Sequence, residues 1–235
     1  MTTILRATVL ALGVLAAPLA ALAQSAPSLP KGTVVEYRAG ETANRDLALI
    51  ISGDGGWADL DRQVGNRLVA RGTSVVGFDA MKYFNDTRSP DQTARDVDAT
   101  LAYYLKAWDK DRIVLVGFSF GASVMPFVLN RMPEPLKSKV ALTALLAPGT
   151  YANWEIHWGD WLHDKPHDSA LQLAPEMSKL SGVKLLCVYG ADEAASSLCP
   201  TLPAAAAEIL KLPGGHHFDE NYPSLADQIL RRVPQ

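Results

Sequence analysis

A chain of 235 residues with 48% hydrophobic side chains can bury one sizeable core, and a single α/β domain is the natural expectation. Its formal charge of −3, with no basic cluster, argues against nucleic acid as a partner.

The first segment has the pattern of an export signal. Residues 1–6 end in Arg6, an apolar run covers 7–15, and Pro18 precedes Ala21-Leu22-Ala23, a small-x-small cleavage site. A membrane anchor is the alternative, but the run is short and broken by Pro18, which favours cleavage. Cleavage after Ala23 and residence in the periplasm follow as expectations. Residues 24–32 contain two prolines and two serines and read as a flexible leader, leaving 33–235 as the folded domain.

Residues 33–37 predict an edge strand, and the wholly apolar 47–52 a strand inside a parallel sheet covered on both faces. Glycine-rich 53–56 leads to a helix from about Asp59 to Arg71, with Gly72 as its C-terminal cap, and 73–78 is the next strand. Residues 83–88 read as a polar loop. Ser89-Pro90-Asp91-Gln92 then forms a capping-box pattern, opening a helix to about Trp108. Strands follow at 112–117, 140–146, 183–189 and 207–212, with helices at 122–130 and 224–231. This alternation predicts an α/β fold, a mostly parallel sheet with helices on both faces. The irregular stretch 148–179 reads as an insertion overhanging the site.

The chemistry centres on Gly117-Phe118-Ser119-Phe120-Gly121, where a β-branched run stops and a helix-compatible stretch begins. In that context Gly-x-Ser-x-Gly marks a nucleophilic serine on a sharp turn. Serine needs a base, and the base needs a carboxylate to orient it. The strand at 183–189 runs into Gly190-Ala191-Asp192-Glu193, and the next ends in Pro213-Gly214-Gly215-His216-His217-Phe218. The chain order is therefore serine, acid, histidine. A strand–Gly-x-x-acid pattern favours Glu193, with Asp192 as the rival, and Gly-x-His-x-Phe spacing favours His216 over His217. The Phe120 amide supplies one oxyanion donor, and the loop at 52–56 the other, through Asp54 or Gly55.

Cys187 and Cys199 bracket the acid, and in an oxidising compartment they pair or remain two thiols; the bridge is the favoured reading. Trp154, Trp158 and Trp161 lie in the insertion and suit a pocket wall, a lipid interface or a satellite core. His157, His163 and His167 show no metal-type spacing, so no metal or other cofactor is expected.

Ser52-Gly53-Asp54-Gly55-Gly56-Trp57, Tyr83-Phe84, Arg88-Ser89-Pro90-Asp91-Gln92-Thr93-Ala94, Gly117 to Ala122, Ser197-Leu198-Cys199 and Pro213 to Phe218 together resemble the bacterial VirJ/AcvB virulence-protein family, in its short single-domain form. Asn85 departs from the pattern, which has tryptophan after Tyr-Phe. The resemblance implies an exported α/β hydrolase that cleaves aminoacylated phospholipid at the membrane surface, lysyl-phosphatidylglycerol in particular. It also implies a link to type IV secretion components. Asp54 and Glu155 are then candidates to receive the lysyl ammonium groups. The alternatives are a generic periplasmic esterase or thioesterase, and a non-catalytic accessory factor built on the same scaffold.

Overall fold

The computed structural model describes residues 25–40, 43–157 and 166–234. The export signal, its cleavage site, Trp158, Trp161 and His163 lie outside the described residues.

In chain order the elements are β1 (Val34–Tyr37), β2 (Asp46–Ile51), α1 (Asp59–Ala70), β3 (Ser74–Phe78), α2 (Ala80–Tyr83), α3 (Pro90–Ala107), β4 (Arg112–Phe118), α4 (Phe120–Arg131), α5 (Glu134–Lys137), β5 (Val140–Leu146), β6 (Tyr151–Ala152), β7 (Leu171–Gln172), α6 (Leu173–Met177), β8 (Leu185–Gly190), β9 (Glu208–Leu212) and α7 (Tyr222–Leu230). Seven strands form one sheet in the order β1-β3-β2-β4-β5-β8-β9, and β6 pairs with β7 in a separate two-stranded ribbon. Only β1 runs antiparallel within the large sheet, against β3.

Every residue of β2 and β3 is buried, as a strand covered on both faces requires. Alternate residues of β2 serve different layers. Leu47, Leu49 and Ile51 join Val97, Leu101 and Phe127 from α3 and α4, whereas Ala48 and Ile50 join Val64, Leu68, Leu225 and Ile229 from α1 and α7. A bidentate ion pair ties the second layer together, with Arg67 Nε and Nη2 each 2.9 Å from an oxygen of Asp227.

The register sets the position of the site. Ile51 pairs with Gly117, Phe118 with Leu146, Leu146 with Val188, and Gly190 with Leu212. The carboxyl ends of β2, β4, β5, β8 and β9 therefore lie along one edge, where open α/β sheets bind ligands.

Three local expectations are refined. Ser89 Oγ accepts from the Gln92 amide at 3.2 Å, and Pro90 is the first helical residue. The return bond from the Gln92 side chain is not among the described hydrogen bonds, so half of the capping box forms. Helix α4 begins at Phe120, two residues before the expected start, because the serine turn passes straight into helical backbone. The first part of the expected polar loop at 83–88 is the end of α2, capped by the Asp79 carboxylate, which accepts from the Lys82 amide at 3.1 Å.

Candidate active site

Ser119 joins β4 to α4 with φ 53° and ψ −113°, a strained conformation for a side chain that has a Cβ. Close backbone approach enforces it. A Cβ at Gly121 would fall 2.2 Å from the Ile51 carbonyl oxygen, and one at Gly117 would fall 2.6 Å from that of Gly121. The Gly121 amide donates to the Ser52 carbonyl at 3.1 Å, fastening the turn to the end of β2. The serine side chain is thereby lifted clear of the sheet edge.

The turn after β9 brings in His216, the candidate base. His216 Nε2 lies 2.7 Å from Ser119 Oγ, across 97 residues of sequence. On its other side His216 Nδ1 lies 2.7 Å from Glu193 Oε2. An ionised carboxylate only accepts, so Nδ1–H donates to Glu193 and the serine hydroxyl donates to Nε2. The loop that carries the histidine is itself strained: Phe218, Asp219 and Glu220 all have positive φ. Burial of Phe218 and the bond from the Phe218 amide to the Gly215 carbonyl, 3.0 Å, hold it.

Glu193 ends a short 3-10 turn that follows β8, and its Oε1 accepts from the Gly190 amide at 3.3 Å. Burial pushes its carboxyl up, but His216, the Gly190 amide and His217 outweigh that and hold it below the usual glutamate range. Asp192, the rival acid, makes no such contact: it is exposed, and it meets the neighbouring loop through its amide, which donates to the Gly214 carbonyl at 3.0 Å. The 3-10 turn, at three residues per turn, aims position 193 inward and position 192 outward. His217 turns away from Ser119; its Nδ1 pairs with the Tyr222 hydroxyl at 3.2 Å, and burial followed by the His216 charge lowers its pKa.

Cys187 in β8 and Cys199 are bridged, closing the loop that contains Glu193. The Leu198 amide donates to the Pro148 carbonyl at 3.2 Å, joining that loop to the start of the insertion.

These groups open into a cleft of about 460 Å³. Gly53, Asp54, Gly55 and Gly56 line one wall, and a Cβ on Gly53 would lie 3.5 Å from Ser119 Cβ. Phe120 lines it as well, and its amide opens α4, where first-turn N–H groups lack helical acceptors. Tyr151, Asn153, Glu155 and Ile156 of the insertion complete the wall. Trp154 faces the other way, packed edge-on against Phe127 at 5.1 Å, so it belongs to the core and not to the pocket.

Two features were not legible in the sequence. Asp61 of α1 lines the cleft although it is buried, and desolvation raises its carboxyl to about 7. Its Oδ2 accepts from the Ala58 amide at 3.0 Å, while Oδ1 has no hydrogen-bond partner. Glu155, His157 and His167 come together in the insertion, with their ligand atoms within 4.8 Å of one another. Spacings of two and ten residues carry no metal-binding signature, so only the folded insertion brings them together.

A family model described as bacterial virulence protein (VirJ) matches residues 45–235. The chain belongs to the VirJ family. Among solved structures this VirJ-family chain is similar to the esterase Pf2001 of Pyrococcus furiosus, with a TM-score of 0.60, 16% identity, and 85% and 91% of the two chains covered. It is similar to Est1E from Butyrivibrio proteoclasticus, with a TM-score of 0.60, 14% identity, and 86% and 93% covered. It is also similar to XC6422 from Xanthomonas campestris, described as an α/β serine hydrolase without a lid, with a TM-score of 0.55, 15% identity, and 92% and 96% covered. The VirJ-family chain therefore has the α/β-hydrolase fold. No curated protein sequence matches it.

Proposed function

We propose that the protein is an exported serine hydrolase that cleaves the aminoacyl ester of aminoacylated phospholipid, lysyl-phosphatidylglycerol first among them. The observation that carries the catalytic reading is the continuous row Ser119–His216–Glu193, joined by two 2.7 Å contacts. Ser119 Oγ attacks the ester carbonyl while His216 Nε2 takes its proton. Glu193 fixes the tautomer of His216 and stabilises the imidazolium that forms. The amide of Phe120, with that of Asp54 or Gly55, receives the charge that develops on the carbonyl oxygen. His216 then protonates the departing glycerol oxygen, and water hydrolyses the acyl-enzyme by the reverse proton path.

The lining of the cleft supports a cationic acyl group. Asp54, Asp61, Glu155 and Glu193 line it, and no lysine or arginine does so among the described residues. A lysyl ester carries two ammonium groups, and Asp54 in the glycine-rich wall is the carboxylate offered to them. The cleft volume of about 460 Å³ suits a head group, leaving the acyl chains in the bilayer. The Cys187–Cys199 bridge and the export-signal pattern agree with a periplasmic protein. The test uses labelling by a fluorophosphonate and release of lysine from lysyl-phosphatidylglycerol vesicles. Wild-type protein is expected to do both and Ser119→Ala neither. A strong preference for small neutral esters over the lipid overturns the substrate. Failure of wild-type protein to label, with normal secretion in cells carrying Ser119→Ala, overturns the enzyme in favour of an accessory factor of a type IV secretion system.

A further inference from the structure

We propose that Glu155, His157 and His167 form a binding site for a borderline divalent cation, zinc foremost, that meets the cleft at Glu155. The inference rests on the convergence of the three donors and not on the hydrolase reading.

The geometry matches what such an ion needs. His157 Nε2 lies 3.7 Å from Glu155 Oε2, and His167 Nδ1 lies 3.7 Å from Glu155 Oε1. These separations are too long for hydrogen bonds. They are close to the edge of a tetrahedral site, about 3.3–3.4 Å when metal–ligand bonds are 2.0–2.1 Å long. The two imidazoles stack with ring centroids 4.9 Å apart and planes 18° from parallel, and one ligand atom from each of the three residues lies within 4.8 Å of the others.

Two of the donors, Glu155 and His167, are also held in place, as a metal site requires. Thr87 Oγ1 donates to Glu155 Oε2 at 2.6 Å, orienting the carboxylate from outside. The residues on either side of Glu155 are pinned: the Arg88 amide donates to the Trp154 carbonyl and the Ile156 amide to the Phe84 carbonyl, each at 2.8 Å. The His167 amide donates to Asn153 Oδ1 at 3.0 Å, and the His167 carbonyl accepts from the Ala170 amide at 2.9 Å. Two imidazole nitrogens and one carboxylate form a set that zinc prefers to calcium or magnesium, which take oxygen ligands. Three protein ligands leave a fourth position for water or an anionic oxygen. Because Glu155 also lines the cleft, a bound ion places a positive centre in a wall that is otherwise acidic.

Calorimetric titration of the purified, metal-stripped protein with zinc, followed by the visible spectrum of the cobalt-loaded form, tests the site. One equivalent is expected to bind, with a tetrahedral cobalt spectrum. Glu155→Gln, His157→Ala and His167→Ala are each expected to weaken zinc at least tenfold. The His157 side chain is 62% exposed, so its removal separates loss of a ligand from loss of the fold. Wild-type protein that binds no zinc, or that binds it equally well in all three variants, overturns the site. Binding that survives there but is lost in His217→Ala also overturns it.

Discussion

Glu193 Oε2 lies 2.7 Å from His216 Nδ1, while the adjacent Asp192 side chain is turned to solvent. In the proposed mechanism the orienting role thus falls on the second of two consecutive acids. Glu193→Gln keeps the shape but loses the acceptor that selects the productive tautomer, so kcat is expected to fall by about 10²–10⁴. Asp192→Asn is expected to leave kcat within about twofold. Steady-state kinetics of the two variants checks the ranking, and the reverse order would remove Glu193 from the mechanism.

The bridge between Cys187 and Cys199 spans 12 residues of sequence and encloses the Glu193 turn. Cys199→Ser is expected to destabilise the protein by about 2–4 kcal/mol, lowering Tm by roughly 5–15 °C. Thermal melts with and without reductant should show the wild-type transition moving toward that of the variant. An unchanged Tm under full reduction would deny the bridge a role in stability.

Asp61 supplies a pH dependence of definite sign. Its carboxyl, raised to about 7 by burial, stays protonated in the folded chain where the unfolded chain has already ionised it. Folding stability associated with this group is therefore present below about pH 4 and is lost as pH rises toward 7, by about 4 kcal/mol at most. Asp61→Asn keeps a cap for the Ala58 amide and removes the titration. Urea midpoints at pH 5 and pH 8 should diverge less in the variant, and equal divergence would refute the assignment.

The serine turn leaves no room at Gly121. Gly121→Ala places a Cβ 2.2 Å from the Ile51 carbonyl oxygen, so backbone must shift; a loss of more than about 2 kcal/mol is expected, with at least a tenfold fall in kcat. An added Cβ at Gly55 meets nothing within 4 Å, and Gly55→Ala should leave stability within about 1 kcal/mol. Chemical denaturation of the pair distinguishes crowding at the turn from a general intolerance of this loop region.

Much of the sheet was readable because its strands are buried on both faces and so appear as unbroken apolar runs, as in Leu47 to Ile51 and Ile113 to Val116. The short helices α2 and α5 and the β6–β7 ribbon escaped because four residues or fewer carry no usable periodicity.

The sequence by itself determined the serine turn, the order serine–acid–histidine and the sheet that brings them to one edge, since these follow from local apolar runs broken by glycine. Only the tertiary structure decided between Glu193 and Asp192, sent Trp154 into the core, brought Asp61 to the cleft, and gathered His157 and His167 beside Glu155. Those outcomes depend on the direction in which a side chain leaves a turn and on contacts between distant segments. Neither is encoded in the spacing of residues along the chain.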